Sequence, residues 1–412
     1  MDLRYDASVI IKKAIEAALP GPKVLRAMRQ FRQGSGSIYV IAVGKAAYSM
    51  AAAAEQVLGN QIAKGIVITK YGHVKGRLQH FSMYEAGHPK PDENTYQATE
   101  KVLSLIRDAS SEDQVIFLMS GGASALFELP MISTSAYEAL VEQLLRSGAD
   151  ISEFNTVRKH LSAVKGGRFA YAASPASVYV YALSDVLSDD LSVIGSGPAV
   201  PDPSYAADAV KILEKYKIEI TEELRSALHS ETPKTLTNVA HTEIIGNVKG
   251  LAASVKEACE SLGYKTEILT DCLDAETREA GHVLGAIARS HASSGESCAF
   301  IMAGETVVHV KGKGKGGRNQ ELALAAGENI RGLENTAVFS FGSDGTDGPT
   351  DAAGGISDGE TAARLEACGL SIYNVLENND AYRALKMLND LIITGPTGTN
   401  INDAAVALIR KQ

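Results

Sequence analysis

The sequence predicts an α/β protein whose two domains each contain a mostly parallel sheet flanked by helices. Short β-rich runs alternate with longer segments of helical periodicity, which is the pattern of βαβ units. A length of 412 residues is sufficient for two such domains. A polar stretch at residues 230–239 follows a charged helix and marks the best boundary. We therefore expect one domain at residues 1–235 and a second at 236–412.

The individual elements follow from the two kinds of periodicity. Short apolar and β-branched runs predict strands at 38–43, 65–69, 115–119, 178–183, 242–245, 265–269, 298–302, 306–310 and 337–341. Apolar residues at helical spacing predict helices at 46–58, 93–109, 155–173, 249–262, 275–290 and 318–330. A further helix is expected at 403–412, and whether it packs on the first domain is left open.

Composition and charge limit the classes of protein that the chain can represent. Apolar residues make up 45% and charged residues 22%, as in an average soluble globular protein. The net charge of −9 argues against nucleic acid as a partner. Four cysteines without a C-x-x-C spacing indicate neither a zinc site nor a disulfide framework. No signal-peptide pattern is present and Gly44 and Lys45 interrupt the longest apolar stretch, so a cytoplasmic protein without a membrane partner is expected.

Loops rich in Gly, Ser and Asp follow five of the predicted strands. Ligands of open α/β sheets bind at the carboxyl ends of the strands, where such loops begin. Small residues allow backbone amides to approach an anion, and helix N-termini add a favourable dipole. One such loop is most simply a tight turn, but five together favour anion binding. The residues concerned are Gly44 and Lys45; Ser120, Gly121, Gly122, Ala123 and Ser124; Asp185, Asp189, Gly195, Ser196 and Gly197; Glu305; and Asp344, Asp347 and Asp351.

Basic residues in three segments are further candidates for contact with an anion. Lys45 interrupts an apolar strand-to-helix junction without the Walker A pattern, and its expected role is to neutralise a phosphoryl group. Arg158 and Lys165 share one face of the predicted helix 155–173. That face is either a solvated basic surface or a site for an anion, because the helix offers no matching acidic residues. His88, in a rigid loop that contains proline, gives weaker evidence.

The Lys- and Gly-rich run 311–317 leads into a predicted helix that begins at Arg318. Its spacing does not match the G-x-G-x-x-G dinucleotide fingerprint. The run is more typical of a mobile cationic loop that delivers Arg318 to a phosphate.

Carboxylates near the basic loops suggest either magnesium ligands or a base for a substrate hydroxyl. Asp344, Asp347 and Asp351 crowd one Gly-rich loop but do not match the EF-hand pattern. Asp185 and Asp189 form a second candidate pair. Turn formation or helix capping is the structural alternative for each aspartate. No G-x-S-x-G, H-E-x-x-H or Cys–His pattern supports a hydrolase.

Eight segments, which span nearly the whole chain, connect the sequence to a known family. They are VGKAA (43–47), AGHPKPDENT (86–95), SGGASAL (120–126), NTVRKHLSAVKGGR (155–168), LSDVLSDDLSVIGSGP (183–198), GGRNQELAL (316–324), GSDGTDGPTDAAG (342–354) and TGPTGTNINDAA (394–405). In content and order they resemble the class II glycerate kinases, whose C-terminal part is the MOFRL domain.

The resemblance implies a cytoplasmic enzyme that uses ATP and Mg²⁺ to phosphorylate D-glycerate. The active site would lie in a cleft between a Rossmann-like N-terminal domain and a MOFRL-type C-terminal domain. Direct in-line transfer of the γ-phosphoryl group is the expected reaction, and 2-phosphoglycerate is the expected product. The oligomeric state is open, with a homodimer as one possibility.

The resemblance also implies roles for particular residues. Lys45 and Arg318 would be the catalytic cations, and loops 120–124 and 195–198 would lie near nucleotide phosphates or substrate. Asn319, next to Arg318, belongs to the same expected binding surface. Further expectations are that Arg158 and Lys165 hold the glycerate carboxylate or a phosphate, and that Asp189 or Asp347 binds Mg²⁺ or assists deprotonation.

Three rival functions stay open at this point. The nearest is a glycerate 3-kinase or a kinase of a longer sugar acid, because pocket depth cannot be inferred from sequence. An NAD(P)H-dependent hydroxypyruvate reductase is disfavoured by the missing dinucleotide fingerprint. A non-catalytic sensor of small phosphorylated acids would not need the carboxylates.

Overall fold

The computed structural model describes residues 2–411 and divides the chain into two compact α/β units. The central unit is Pro20–Ile245, and the terminal unit combines the residues before Pro20 with those from Gly246 onward. The observed boundary lies ten residues beyond the expected one at 235/236. The first helix, α1 (Leu3–Ala18), belongs to the terminal unit, where it packs on α11 (Val248–Ser261) through a buried face that includes Ile10. Sequence periodicity identifies such a face but does not identify its partner.

The central unit is built on a six-stranded sheet in the order β3-β2-β1-β4-β5-β6, whose first five strands are parallel. The chain runs outward from β1 in one direction and from β4 in the other, so the order reverses between β1 and β4. The strands are β1 Ile38–Val43, β2 Ile62–Lys70, β3 Phe81–Ala86, β4 Gln114–Met119, β5 Ser177–Leu183 and β6 Val239–Gly246. The helices are α2 Pro20–Gln30, α3 Ala47–Leu58, α4 Glu93–Ile106, α5 Ala123–Leu126, α6 Thr134–Ser147, α7 Ile151–His160, α8 Arg168–Ala172, α9 Ala206–Lys215 and α10 Glu222–Leu228.

The core of the central unit surrounds β4, which is why the sequence predicts this strand correctly. Every residue of β4 is buried, as expected for a parallel strand with helices on both faces. Phe117 of β4 packs with Phe127 and Phe169, and the ring centroids of the three lie 4.4–5.6 Å apart. This packing stabilises the strands from which the loops at the carboxyl ends of β1 and β4 begin.

The helix predicted at 155–173 is wrong in its extent. Helix α7 begins after its capping residue Asp150 and ends at His160, and α8 starts only at Arg168. The segment between them pairs with residues 129–131, and Gly166 and Gly167 have φ angles of +56° and +84°. Left-handed glycines end a helix, so Arg158 and Lys165 do not share a helical face.

The terminal unit contains a second six-stranded sheet in the order β11-β10-β9-β12-β8-β7. This sheet is mixed, because β12 and β10 run antiparallel to their neighbours whereas β7 and β8 are parallel. The strands are β7 Lys265–Glu276, β8 Cys298–Val307, β9 Thr336–Gly342, β10 Gly354–Asp358, β11 Leu391–Ile392 and β12 Asp403–Ile409. Besides α1 and α11, the helices are α12 Thr277–His291, α13 Arg318–Asn329, α14 Thr361–Ala367, α15 Ile372–Glu377 and α16 Ala381–Leu388.

The expected C-terminal helix at 403–412 is a strand, so its packing on the first domain does not arise. Strand β12 lies between β8 and β9, and all of its residues are buried. A short apolar run buried on both faces has no alternating pattern, and periodicity alone cannot distinguish it from a buried helix. The separate strand expected at 306–310 is also absent from the described residues, since β8 continues without a break to Val307.

Within residues 2–411, the helices are either too short or too polar to cross a membrane.

Candidate functional site

The first part of the site is the junction between the loops that follow β1 and β4. The amide of Lys45 donates to the Gly121 carbonyl at 2.9 Å, and the amide of Ala46 donates to Ser120 Oγ at 3.1 Å. Gly44 has a φ of +112°, and a Cβ on it would lie 2.3 Å from Ser120 Oγ. Only glycine therefore permits this approach. The two loops meet where the strand order reverses, which is the usual ligand position in a doubly wound sheet.

Four basic side chains gather near this junction, and we call them the cationic cluster: Lys45, Lys70, His73 and His88. His73 Nδ1 lies 3.0 Å from the Lys45 carbonyl oxygen. A Cβ on Gly122 would lie 3.1 Å from the His88 ring and 3.3 Å from Lys45 Cγ, so the Ser120–Ser124 loop passes directly beside both. Burial, together with Lys45, Lys70 and His73, lowers the pKa of His88 to about 4. The same neighbouring positive charges that disfavour a proton on His88 would stabilise a bound anion.

In the structure, Arg158 and Lys165 form ion pairs with a buried glutamate that the sequence analysis missed. Glu128 is fully buried, and its Oε2 accepts from Tyr137 at 2.8 Å and from Arg158 Nε at 3.1 Å, with Lys165 Nζ at 3.7 Å. The anion expected opposite the basic face is therefore Glu128 of the chain itself. No spacing pattern connects Glu128 to a helix thirty residues away, so sequence reasoning had no signal for it.

This buried network also fixes the two glycine-rich loops. Lys165 Nζ donates to the carbonyls of Phe127 at 2.9 Å and Gly195 at 3.3 Å, and Arg158 donates to the Ser124 carbonyl. Burial lowers the pKa of Lys165 to about 7. Because Lys165 is wholly inaccessible, the expectation that it binds substrate is corrected: in this geometry it positions the loops.

The loop after β5 holds several of the other predicted residues of the central unit. Asp189 and Ser196 have φ angles of +56° and +62°, which are uncommon outside glycine. A Cβ on Gly195 would lie 2.8 Å from Met119 Sδ, so the loop packs on the end of β4. Asp185 and Asp189 are half-buried, whereas Gly195, Ser196 and Gly197 are buried. The loop is thus a close neighbour of the Ser120–Ser124 loop.

In the terminal unit, Arg318 is held between two carboxylates, an arrangement that we call the arginine clamp. Arg318 Nε donates to Asp403 Oδ2 at 2.5 Å and Nη2 donates to Asp403 Oδ1 at 3.3 Å, while Nη1 donates to Glu305 Oε1. Asp403 is in register with Gly304 of β8 and Gly342 of β9, so the antiparallel strand β12 begins at the carboxyl ends of both. The sequence analysis missed Asp403 because it expected a helix there.

The charges of the clamp depend on burial and on each other. The carboxylates raise the pKa of Arg318 above its already high value, so the guanidinium stays charged. Burial raises the pKa of Asp403, and the Arg318 guanidinium opposes that effect. Clamped in this way, Arg318 has a fixed orientation at the start of α13.

Asp347 caps helix α13 instead of facing outward as a metal ligand or base. It is 2% exposed, and its two carboxylate oxygens accept from the amides of Asn319 at 3.1 Å and Gln320 at 2.9 Å. A Cβ on Gly317 would lie 2.3 Å from Asp347 Cγ, so glycine is needed beside the cap. Burial raises the pKa of Asp347 to about 6 in spite of these bonds. Asn319 also accepts from Ser340 Oγ at 2.6 Å, which ties the helix start to β9.

The clamp opens into a pocket of about 640 Å³ within the terminal unit. Its lining brings together four of the predicted residues and the missed Asp403: Glu305, Arg318, Asp344, Asp347 and Asp403. Asp351 is absent from that lining, and its Oδ1 accepts from Tyr382 at 2.6 Å.

The run 311–317 is tethered, contrary to the expectation of a mobile loop. The amides of Lys311 and Gly312 donate to Asn379 Oδ1 at 2.8 and 2.9 Å, and the amide of Lys315 donates to Asp380 Oδ1 at 2.8 Å. These bonds hold the approach to Arg318 in place. A cationic composition therefore does not imply mobility here.

The two aspartates expected to bind Mg²⁺ differ in their surroundings. Within residues 2–411, no group of three or more His, Cys, Asp or Glu side chains is arranged to hold a metal ion. A Mg²⁺ ion that accompanies a nucleotide needs only one or two protein carboxylates, because phosphate oxygens and water complete its coordination. Asp347 does not fit, since both of its oxygens accept helix amides. Asp189 fits this requirement, as a half-buried carboxylate in a loop at the carboxyl edge.

The central unit has a doubly wound sheet with a cationic carboxyl edge, and the terminal unit has a clamped arginine beside a pocket. These features are typical of α/β enzymes that act on phosphorylated or other anionic metabolites. The family model described as "Domain of unknown function (DUF4147)" matches residues 6–229, and the "MOFRL family" model matches residues 298–403. A D-glycerate 2-kinase of Thermotoga maritima is 51% identical over 99% of this chain and 98% of its own length. A glycerate 2-kinase of Pyrococcus horikoshii is 40% identical over 100% of this chain and 98% of its own length.

A solved structure gives the same result for the fold. The crystal structure of a glycerate kinase from Thermotoga maritima superposes with a TM-score of 0.95 at 50% identity, covering 99% of each chain. The chain therefore belongs to the glycerate kinase family that combines DUF4147 and MOFRL domains.

Proposed function

We propose that this protein transfers the γ-phosphoryl group of ATP to the 2-hydroxyl of D-glycerate and so forms 2-phosphoglycerate. The observation that carries the proposal is the 51% identity, over nearly the full length of both chains, to a D-glycerate 2-kinase. The cationic cluster supports it, because both substrates and the transferred group are anionic.

The chemistry requires positioning and charge neutralisation more than covalent assistance from the protein. Lys45, fixed by the Gly121 carbonyl through its own amide, supplies one positive charge at the edge of the central sheet. Arg318 supplies a second from the arginine clamp of the terminal unit. In the proposed mechanism both cations act on the transferring phosphoryl group, where negative charge is greatest in the transition state.

The remaining groups have supporting roles in the proposal. Asp189 would hold the Mg²⁺ that accompanies ATP, and the ion would shield charge on the phosphate oxygens. The alternative role for Asp189 is to assist hydroxyl deprotonation, for which Asp347 is unsuitable because it is occupied as a helix cap. Arg158 and Lys165 orient the Ser120–Ser124 and 195–198 loops through the buried Glu128 network.

The proposal includes a cellular setting. We place the enzyme in the cytoplasm, with ATP and D-glycerate as its partners and with neither nucleic acid nor a membrane as a partner. A homodimer stays a prediction.

The decisive assay follows ADP release from MgATP and D-glycerate while enolase converts any 2-phosphoglycerate to phosphoenolpyruvate. Phosphoenolpyruvate formed with enolase alone is the expected result. A signal that requires added phosphoglycerate mutase would make the protein a 3-kinase. Absence of ADP, together with NAD(P)H consumption on hydroxypyruvate, would replace the kinase with the rival reductase.

A further inference from the structure

We propose that a pocket in the central unit holds the purine base of the nucleotide, an inference that rests on the ATP use proposed above. The pocket has a volume of about 670 Å³ and lies among the loop before α4, helix α6 and helix α7. Its aromatic lining consists of Tyr96, Tyr137 and Phe154, and we call it the aromatic pocket. Its size is in the range of small-molecule sites in proteins.

One loop and one hydrogen bond connect the aromatic pocket to the cationic cluster. Pro89, which lines the pocket, directly follows His88 of the cluster. Arg158, which also lines the pocket, donates to the carbonyl of Ser124 at the end of the loop beside Lys45. A nucleotide whose base enters the aromatic pocket would therefore have its phosphates directed toward the cationic cluster.

The lining has the chemistry that a heteroaromatic base requires. Phe154 is half-buried at the pocket, and the Arg158 guanidinium lies 5.9 Å from the centre of its ring. Base stacking uses such aromatic faces and planar guanidinium groups. The hydroxyl of Tyr96 is buried and has no hydrogen-bond partner within residues 2–411, although Tyr96 is only 5% exposed. A ring nitrogen is the kind of acceptor that would satisfy that hydroxyl.

The charges at the pocket favour a neutral base over glycerate or a phosphate. Glu138 and Glu142 are exposed at its rim and would repel an anion. The same carboxylates can accept hydrogen bonds from an exocyclic amino group. Lys90 also lines the pocket, but Arg158, the other cation, is already paired with Glu128. The acidic rim distinguishes this pocket from the cationic cluster next to it.

The test compares two probes by isothermal titration calorimetry on the full chain: MgADP, and magnesium tripolyphosphate, which has phosphates but no base. In Phe154→Ala we expect the affinity for MgADP to fall about 10-fold, the loss of one stacking contact. We expect the affinity for tripolyphosphate to stay unchanged. The matched control is Tyr171→Ala, which removes an aromatic ring that is 66% exposed on α8 and outside the pocket.

A second variant protects the test against misfolding. Tyr96→Phe keeps the buried ring and removes only a hydroxyl that has no hydrogen-bond partner within residues 2–411, so the thermal stability of the free protein should not fall. Its affinity for MgADP should fall about 5-fold, the loss of one hydrogen bond to the ligand. Wild-type affinity for MgADP in both variants, or an equal loss for both probes, would overturn the base assignment while leaving ATP use intact. A wild-type protein that binds no MgADP would overturn the proposed use of ATP itself.

Discussion

The cationic cluster and the arginine clamp lie at the carboxyl edges of two different sheets and place their cations by opposite means. Lys45 is positioned through its backbone and lies near other basic groups, and burial together with these charges lowers the pKa of His88. Arg318 is positioned through its side chain by Asp403 and Glu305. The cluster is thus prepared to attract an anion, whereas the clamp fixes one cation in orientation. We therefore propose that the central unit attracts the anion and that the terminal unit places one positive charge in a fixed orientation.

The largest expected effect concerns the stability of the network behind the cationic cluster. Lys165→Met removes a cationic partner from the fully buried Glu128, and we expect a loss of about 3–5 kcal/mol in unfolding free energy. Urea unfolding measures it. Lys64→Met, at the exposed start of β2, is the control and should be neutral. A loss below about 1 kcal/mol would mean that Arg158 alone compensates the Glu128 charge.

The next effect concerns catalysis. Lys45→Ala and Arg318→Ala should each lower kcat by about 10²-fold or more, because each removes a charge that stabilises the transition state. Steady-state assay of ADP release measures the change, and circular dichroism should show an intact fold. Lys64→Ala, at the opposite end of β2 from the cluster, and Arg331→Ala, just beyond the far end of α13, are matched controls. A near-normal kcat in both test variants would contradict the two-cation mechanism.

A smaller effect is expected at the helix that carries the clamp. Asp347→Ala removes the carboxylate that caps α13 and should cost about 1–2 kcal/mol in unfolding free energy. Thermal unfolding measures the loss, and Asp351→Ala, whose carboxylate lies outside the pocket lining, should cost less. Equal effects of the two substitutions would argue against the capping role.

The smallest effects are two pH slopes of opposite sign. Folding lowers the pKa of His88 from 6.5 to about 4, so the unfolded chain binds more protons there and stability rises with pH across that window. Folding raises the pKa of Asp347 from 3.8 to about 6, so stability from this group falls as pH rises through its window. Relative to the wild type, thermal stability between pH 4 and 6 should rise less steeply with pH in His88→Gln and more steeply in Asp347→Asn. Unchanged pH profiles in both variants would contradict the assigned environments.

The parts of the fold that could be predicted are those with a local signal. Strands β1 and β4 are short apolar runs followed by glycine-rich loops, so both the strand and its ligand-binding end are visible in the sequence. Strand β12 is equally apolar, but its identity depends on its position between β8 and β9, which no local pattern reveals. The helix predicted at 155–173 failed for a related reason, because pairing with residues 129–131 overrides its periodicity.

The candidate site divides in the same way. Lys45 and Arg318 stand out because a cation at a strand or helix end is unusual in its local context. Glu128 and Asp403 do not stand out, since their partners Arg158 and Arg318 are distant in sequence. Charge pairing between distant segments depends on the tertiary structure, so the sequence identifies Lys45, Arg158 and Arg318 but misses Glu128 and Asp403, which hold the two arginines. It also misses Lys70 and His73, which join the cationic cluster only through the fold.

The most direct test of the account is a double-mutant cycle on kcat with Lys45→Ala, Arg318→Ala and the combined variant. If both cations act on one phosphoryl group, the combined loss should be smaller than the product of the single losses, by a coupling energy above about 0.5 kcal/mol. Losses that multiply within that limit would mean that the two residues serve separate steps, and would contradict the shared-phosphoryl mechanism.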